Sequence, residues 1–190
     1  MKLLIPLKAK KEVKLNKSLQ TLLIAATLIA IASLIATPIL TRFLPTQFQV
    51  AILASIAIGT WLVVFLGGLF FSWLLKLTMQ ILGGKGEFVH GLATIAYSTL
   101  PISIGVLITA LLIHIPFMGA VLSFLAIAVF GVIGYALVFR LIKLLFEVDM
   151  ITAFVAVNIL VGIIALAFYT TAITFGLGLS KLAPTLAPVI

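Results

Sequence analysis

Residues 91–139 read GLATIAYSTLPISIGVLITALLIHIPFMGAVLSFLAIAVFGVIGYALVF. No Asp, Glu, Lys or Arg interrupts them. An α-helix rises about 1.5 Å per residue, so a single helix here would reach about 70 Å. A bilayer core is about 30 Å thick and takes about 20 residues. The stretch must therefore fold back on itself. His114-Ile115-Pro116-Phe117 is its only turn signal, because proline breaks a helix and favours a turn. Two antiparallel spans, 91–115 and 117–139, are expected as a tight hairpin. Outward from the hairpin lie three more apolar runs, at 19–40, 48–75 and 151–177. The fold expected is all-α, a polytopic membrane bundle of five transmembrane helices.

The flanks of these runs carry the punctuation. Polar Asn16, Lys17 and Ser18 precede the first span, and Pro38 and Arg42 follow it. Its apolar length exceeds that of a signal peptide, so it is expected to be retained. Thr46-Gln47-Phe48-Gln49 has the form of a capping box opening the second span, and Lys76 closes that span. The domain reading is a basic segment at 1–18, the transmembrane domain at 19–179 and a short tail at 180–190.

Composition supports this reading. Of the 190 residues, 64% are hydrophobic and 8% charged, with a mean hydropathy of +1.43. A soluble domain is about 25% charged. A soluble globule, a disordered chain and a nucleic-acid binder are all excluded. The chain has no cysteine, which removes disulfides, thiolate metal sites and thiol catalysis.

The net charge of +8 is informative through its placement. With the N-terminus inside, ten of the twelve basic residues fall in inner segments, and only Arg42 and Lys181 lie outside. The positive-inside rule then sets a cytoplasmic N-terminus and an external C-terminus in the cell membrane. Lys8, Lys10, Lys11, Lys14 and Lys17 cluster before the first span. They are expected to contact anionic lipid headgroups.

Catalytic chemistry is hard to assemble. The two histidines, His90 and His114, stand 24 positions apart at opposite ends of one span and cannot share a metal. Asp149 is the only aspartate, so no Ser/His/Asp set can form. No catalytic residue, metal site or cofactor is expected, and the protein is not expected to be an enzyme. No span holds an ionisable residue near its centre, where ion-coupled transporters usually place one.

Some polar features remain. Gly83-Gly84-Lys85-Gly86-Glu87 joins the second and third spans. It is not a phosphate loop, because no Ser or Thr follows the lysine. Tyr97-Ser98-Thr99-Leu100-Pro101 lies within the third span. Pro101 frees the Tyr97 carbonyl and is expected to kink the helix, with this face turned into the bundle. Tyr97, Ser98, Pro101 and Asn158 are the candidate kink and cavity residues. Lys85, Glu87, Arg140, Lys143, Glu147 and Asp149 are the candidate cytoplasmic-face contacts. Lys143 and Glu147 are spaced to share a helix face, and Asp149 is placed to cap the fifth helix. Small residues at four-residue spacing include Ala26/Ala30, Ala32/Ala36, Ser55/Gly59 and Gly119/Ser123. Such pairs suit close helix packing within the bundle or a dimer seam.

Taken together, the five spans, the Gly83–Phe88 loop, the Ala96–Pro101 stretch, the short turn after the third span and the polar loop before the fifth resemble the Yip (Ypt-interacting protein) domain family, in its prokaryotic branch. The resemblance covers about residues 15–180. It implies five spans, a cytoplasmic N-terminus and a non-enzymatic membrane protein. Eukaryotic relatives are tied to vesicle traffic and bind Rab-type GTPases through a long N-terminal segment. Only residues 1–18 precede the first span here, so GTPase binding is not expected to carry over. The function expected is a membrane-organising or partner-binding scaffold whose cytoplasmic side meets lipids and other proteins, as a homo-oligomer or beside another membrane protein. The alternative is a small transporter or channel using the kinked third span.

Overall fold

The computed structural model describes residues 13–41 and 46–182, with side chains over 13–37, 49–166 and 169–170. The helices are α1 (Leu15–Thr41), α2 (Thr46–Ile81), α3 (Phe88–Leu112), α4 (Gly119–Phe146) and α5 (Met150–Leu182). Among the described residues, α1 to α4 are long and apolar enough to cross a membrane, and Met150–Leu166 of α5 forms a shorter apolar stretch. This is a multi-pass membrane protein. Lipid offers backbone groups no partner, so each crossing must be helical. Several hydroxyls inside the spans donate to carbonyls of their own helix. Ser72 Oγ donates to the Gly68 carbonyl at 2.6 Å, and Thr94 Oγ1 to that of His90 at 2.9 Å.

The helices overrun the apolar runs that mark them. α2 continues past Lys76 through Thr78 and Gln80 to Ile81, and α4 passes Phe139 to take in Arg140 and Lys143. Hydropathy measures the thickness of the bilayer, whereas hydrogen bonding continues until a residue stops it. The α3–α4 turn is wider than the sequence suggests and occupies residues 113–118. There Phe117 adopts φ 63° and is fully exposed. Gly119 completes the turn, since an added methyl would lie 2.5 Å from the Leu112 carbonyl oxygen.

α3 is the central helix and packs on α1, α2 and α4, whereas α5 meets α2 and α4 along shorter contacts. Glycines set these approaches. Gly91 of α3 lies against the Ser72 carbonyl of α2. A methyl at Gly134 of α4 would sit 2.8 Å from the Ser98 carbonyl oxygen of α3. Farther along the α3–α4 pair, Thr109 and Ser123 donate to each other's carbonyls, both at 3.2 Å. Trp61 Nε1 of α2 donates to Thr27 Oγ1 of α1 at 3.3 Å.

The small-residue pairs divide by position. Ala26, Ala30, Ala32, Gly119 and Ser123 are buried between helices. Ser55 is exposed, and Gly59 faces open space. The largest core lies at one end of the bundle. It joins Leu75 and Met79 of α2, Ala93 of α3, Phe139 to Phe146 of α4 and Ala153 to Leu160 of α5. This basic end carries Lys85, Arg140 and Lys143.

Candidate functional site

The basic end is built from four helix termini, the ends of α2 and α4 and the starts of α3 and α5, and the two loops that join them. α2 stops because Gly83 turns left-handed, at φ 80°. Gly83 N–H then donates to the Gln80 carbonyl at 3.3 Å, and Gly84 N–H to that of Met79 at 2.8 Å. This pair of bonds is the Schellman termination, and glycine suits it because it has no Cβ. The loop next crosses to α4. Lys85 N–H donates to the Phe146 carbonyl at 3.0 Å. Gly86 rests on the Phe146 ring, where a Cβ would collide with it. Phe146 is fully buried and also meets the edge of His90, with ring centroids 6.2 Å apart.

α3 starts at once. Glu87 is its N-cap residue, and the Glu87 backbone N–H donates to His90 Nδ1 at 2.9 Å. That bond requires Nδ1 to be unprotonated, so His90 is tied into the start of its own helix. On the other side, Glu147 closes α4 with φ 57° and ψ 37°. Glu147 thus stands one position beyond the last residue of α4, and its left-handed turn directs the chain toward α5. Asp149 does cap α5, where its Oδ1 accepts from Thr152 N–H at 2.9 Å.

The Asp149 carboxylate lies at a helix N-terminus, whose partial positive charge suits it. The Asp149 carboxyl is held below its usual range, chiefly by hydrogen bonds from the Thr152 side chain and backbone, with Lys143 adding a smaller pull. A depressed carboxyl stabilises above its unfolded value, and that contribution is lost as pH falls through the folded one. The Thr152 amide resonance should therefore shift at a pH below about 3.9, the ordinary aspartate value. In Asp149→Asn the shift should vanish. An unchanged titration in that variant would show that the cap is not the cause.

Lys85, Glu87, Arg140, Lys143, Glu147 and Asp149 are all exposed at this one end. The candidate kink residues do not converge. Ser98 is buried at 3%, Tyr97 is 38% exposed and Pro101 is half-buried. The face turned into the bundle therefore runs through Ser98, beside Gly134, rather than through Tyr97. The Ser98 and Thr99 hydroxyls both donate to the Ile95 carbonyl, at 3.0 and 2.7 Å. Neither serves the carbonyl that Pro101 frees. Asn158 is exposed, and its Nδ2 donates to the Phe154 carbonyl of its own helix at 2.8 Å.

Two apolar grooves lie elsewhere. One of about 200 Å³ runs between α1 and α3, past Ala32, Ser33 and Thr109. The other, of about 310 Å³, lies between α4 and α5 and is lined by Tyr135, Phe139, Met150, Ile151 and Phe154. Neither is lined by Tyr97, Ser98, Pro101 or Asn158. Sequence reasoning missed Phe146 and the Tyr135–Phe139–Phe154 aromatics, and it named Gly83 and His90 without assigning them the helix stop and the cap bond. The Gly after polar Gln80 was a usable stop signal. The aromatics gave none, because each resembles any other apolar residue in a span.

Lys14 and Lys17 are exposed at the start of α1. Lys8, Lys10 and Lys11, the Thr46–Gln49 capping box, and Arg42 and Lys181 of the orientation count lie wholly or partly outside the described residues.

Against known proteins, residues 3–178 match the Yip1 domain. An uncharacterized protein of Methanocaldococcus jannaschii is 34% identical over 106 residues, covering 53% of this chain and 74% of its own length. No solved structure matches the chain.

Proposed function

The chain belongs to the Yip1 domain family, and from that premise we propose that it is a non-enzymatic scaffold that organises lipids and partners at one face of the cell membrane. Its N-terminus and basic end lie in the cytoplasm and its C-terminus outside, in keeping with the distribution of Lys and Arg. One observation carries the reading. The largest buried core sits at the basic end, where two loops are fastened by backbone bonds. A rigid end of this kind holds Lys85, Arg140 and Lys143 in fixed positions at the level of lipid headgroups. Lys14 and Lys17, exposed at the start of α1 beside the same core, add to that charge, and each surface lysine contributes about 1 kcal/mol on anionic membranes.

Reconstitution tests this. In vesicles containing a fluorescent anionic lipid, the protein should gather that lipid, read as self-quenching. The combined variant Lys85→Gln, Arg140→Gln and Lys143→Gln should gather less, and high salt should act in the same direction. Equal quenching by both proteins would overturn the role given to the basic end. Passage of small solutes across the vesicle wall would instead favour a channel.

A further inference from the structure

We propose that the groove between α4 and α5 is a binding site for one anionic phospholipid, with an acyl chain along Tyr135, Phe139 and Phe154 and the phosphate at Lys143. The proposal rests on the lipid-facing reading of the basic end and gives it one site.

The floor of the groove is a rigid aromatic ladder. Tyr135 meets Phe139 edge-on, with centroids 4.7 Å apart and planes at 85°. Phe139 stacks on Phe154 across the two helices, at 6.1 Å and 17°. Phe139 is buried at 7%, whereas Tyr135 and Phe154 stay about half exposed, at 49% and 55%. The groove is thus anchored underneath and open toward the lipid. At about 310 Å³ it is at the low end of small-molecule sites, which run from about 300 to 1,000 Å³. Such a volume suits a length of hydrocarbon chain.

The cation is positioned by helix geometry. Tyr135, Phe139 and Lys143 recur at four-residue spacing and share one stripe of α4. Lys143 stands one turn beyond Phe139, about 6 Å along the axis. An apolar floor that ends in an exposed ammonium matches an acidic amphiphile. Two carboxylates lie nearby, on Glu147 and Asp149. The Asp149 carboxylate accepts from Thr152 N–H, so part of its charge is offset by the start of α5.

The test is native mass spectrometry of the delipidated full chain, with phosphatidylglycerol or phosphatidylcholine added back. One phosphatidylglycerol should be retained in preference to phosphatidylcholine. Lys143→Gln should lower its occupancy about fivefold, while Lys143→Arg should keep it. Lys76→Gln, on α2 and away from the groove lining, should leave it unchanged. A second readout places Phe154→Trp in a background with Trp61→Phe and Trp73→Phe. Brominated phosphatidylglycerol should quench that indole more strongly than brominated phosphatidylcholine does. Equal retention of both lipids, or equal loss in Lys143→Gln and Lys76→Gln, would overturn the site. If anionic lipid still gathers in the vesicle assay while this adduct is indifferent to Lys143, the site falls and the scaffold stands.

Discussion

Gly91→Ala is expected to destabilise the bundle, while the same change at Gly59 should leave it unharmed or slightly steadier. Both glycines sit inside long helices. In a helix interior, Ala is favoured over Gly by about 1 kcal/mol. Propensity alone therefore predicts a gain at each position. Space reverses the sign at one of them. At Gly59 a Cβ meets nothing within 4 Å. At Gly91 it meets the Ser72 carbonyl oxygen, with the Ser72 carbonyl carbon 3.3 Å away. Backbone cannot swing aside as a side chain can, so α2 and α3 must separate. Overpacking of this kind costs about 1–3 kcal/mol, and the rigid obstacle puts Gly91 at the upper end. Much of helix association in lipid comes from close packing, so separation also removes contacts along the neighbouring turns. Unfolding in mixed micelles by rising SDS fraction would measure the pair. A Gly91→Ala variant as stable as the parent would show that this contact is looser than the geometry states.

The same two residues mark what the sequence could convey. The number of helices was legible, because 49 uncharged positions from 91 to 139 cannot cross a bilayer only once. The division near Pro116 followed from the same length. The partners of each face were not legible. Gly59, Gly91, Gly131 and Gly134 look alike in an apolar run, yet Gly91 and Gly134 touch backbone while Gly59 and Gly131 face open space. A soluble helix reveals its buried side by polarity on the other. A span surrounded by lipid is apolar all round, so that signal is missing. Tyr97 shows the consequence. Its spacing from Pro101 pointed to an inward face, but the approach of Gly134 turns Ser98 inward instead.

The basic end was partly legible. Its charged residues were identified from loop position alone, and Asp149 was recognised as a cap because short polar residues before a helix act locally. Phe146 was missed because its importance arises from the fold. It brings the Gly86 loop, His90 and the end of α4 together from distant parts of the sequence.

Phe146→Ala is therefore expected to be among the most damaging single truncations in the chain. The side chain is fully buried. Truncating a buried phenylalanine costs about 3–5 kcal/mol in soluble cores, part of it for the cavity left behind. This position lies at the end of a span, so some of the usual transfer penalty persists, and about 3 kcal/mol is expected. Phe117 is the matched control, since it is fully exposed in the opposite turn. Phe117→Ala should change stability by no more than about 0.5 kcal/mol. The loss at Phe146 should also be local in its first effects. Gly86 rests on the ring, and Lys85 N–H is held by the Phe146 carbonyl at 3.0 Å. Without the ring, that backbone bond loses its support, and the Lys85 and Glu87 amides should exchange with deuterium before the spans open. Exchange at Thr109 and Ser123, whose mutual bonds lie elsewhere along the α3–α4 pair, should stay slow. Uniformly faster exchange at both places would show that the bundle opens as one unit. It would remove the reason for treating the basic end as a separately braced platform.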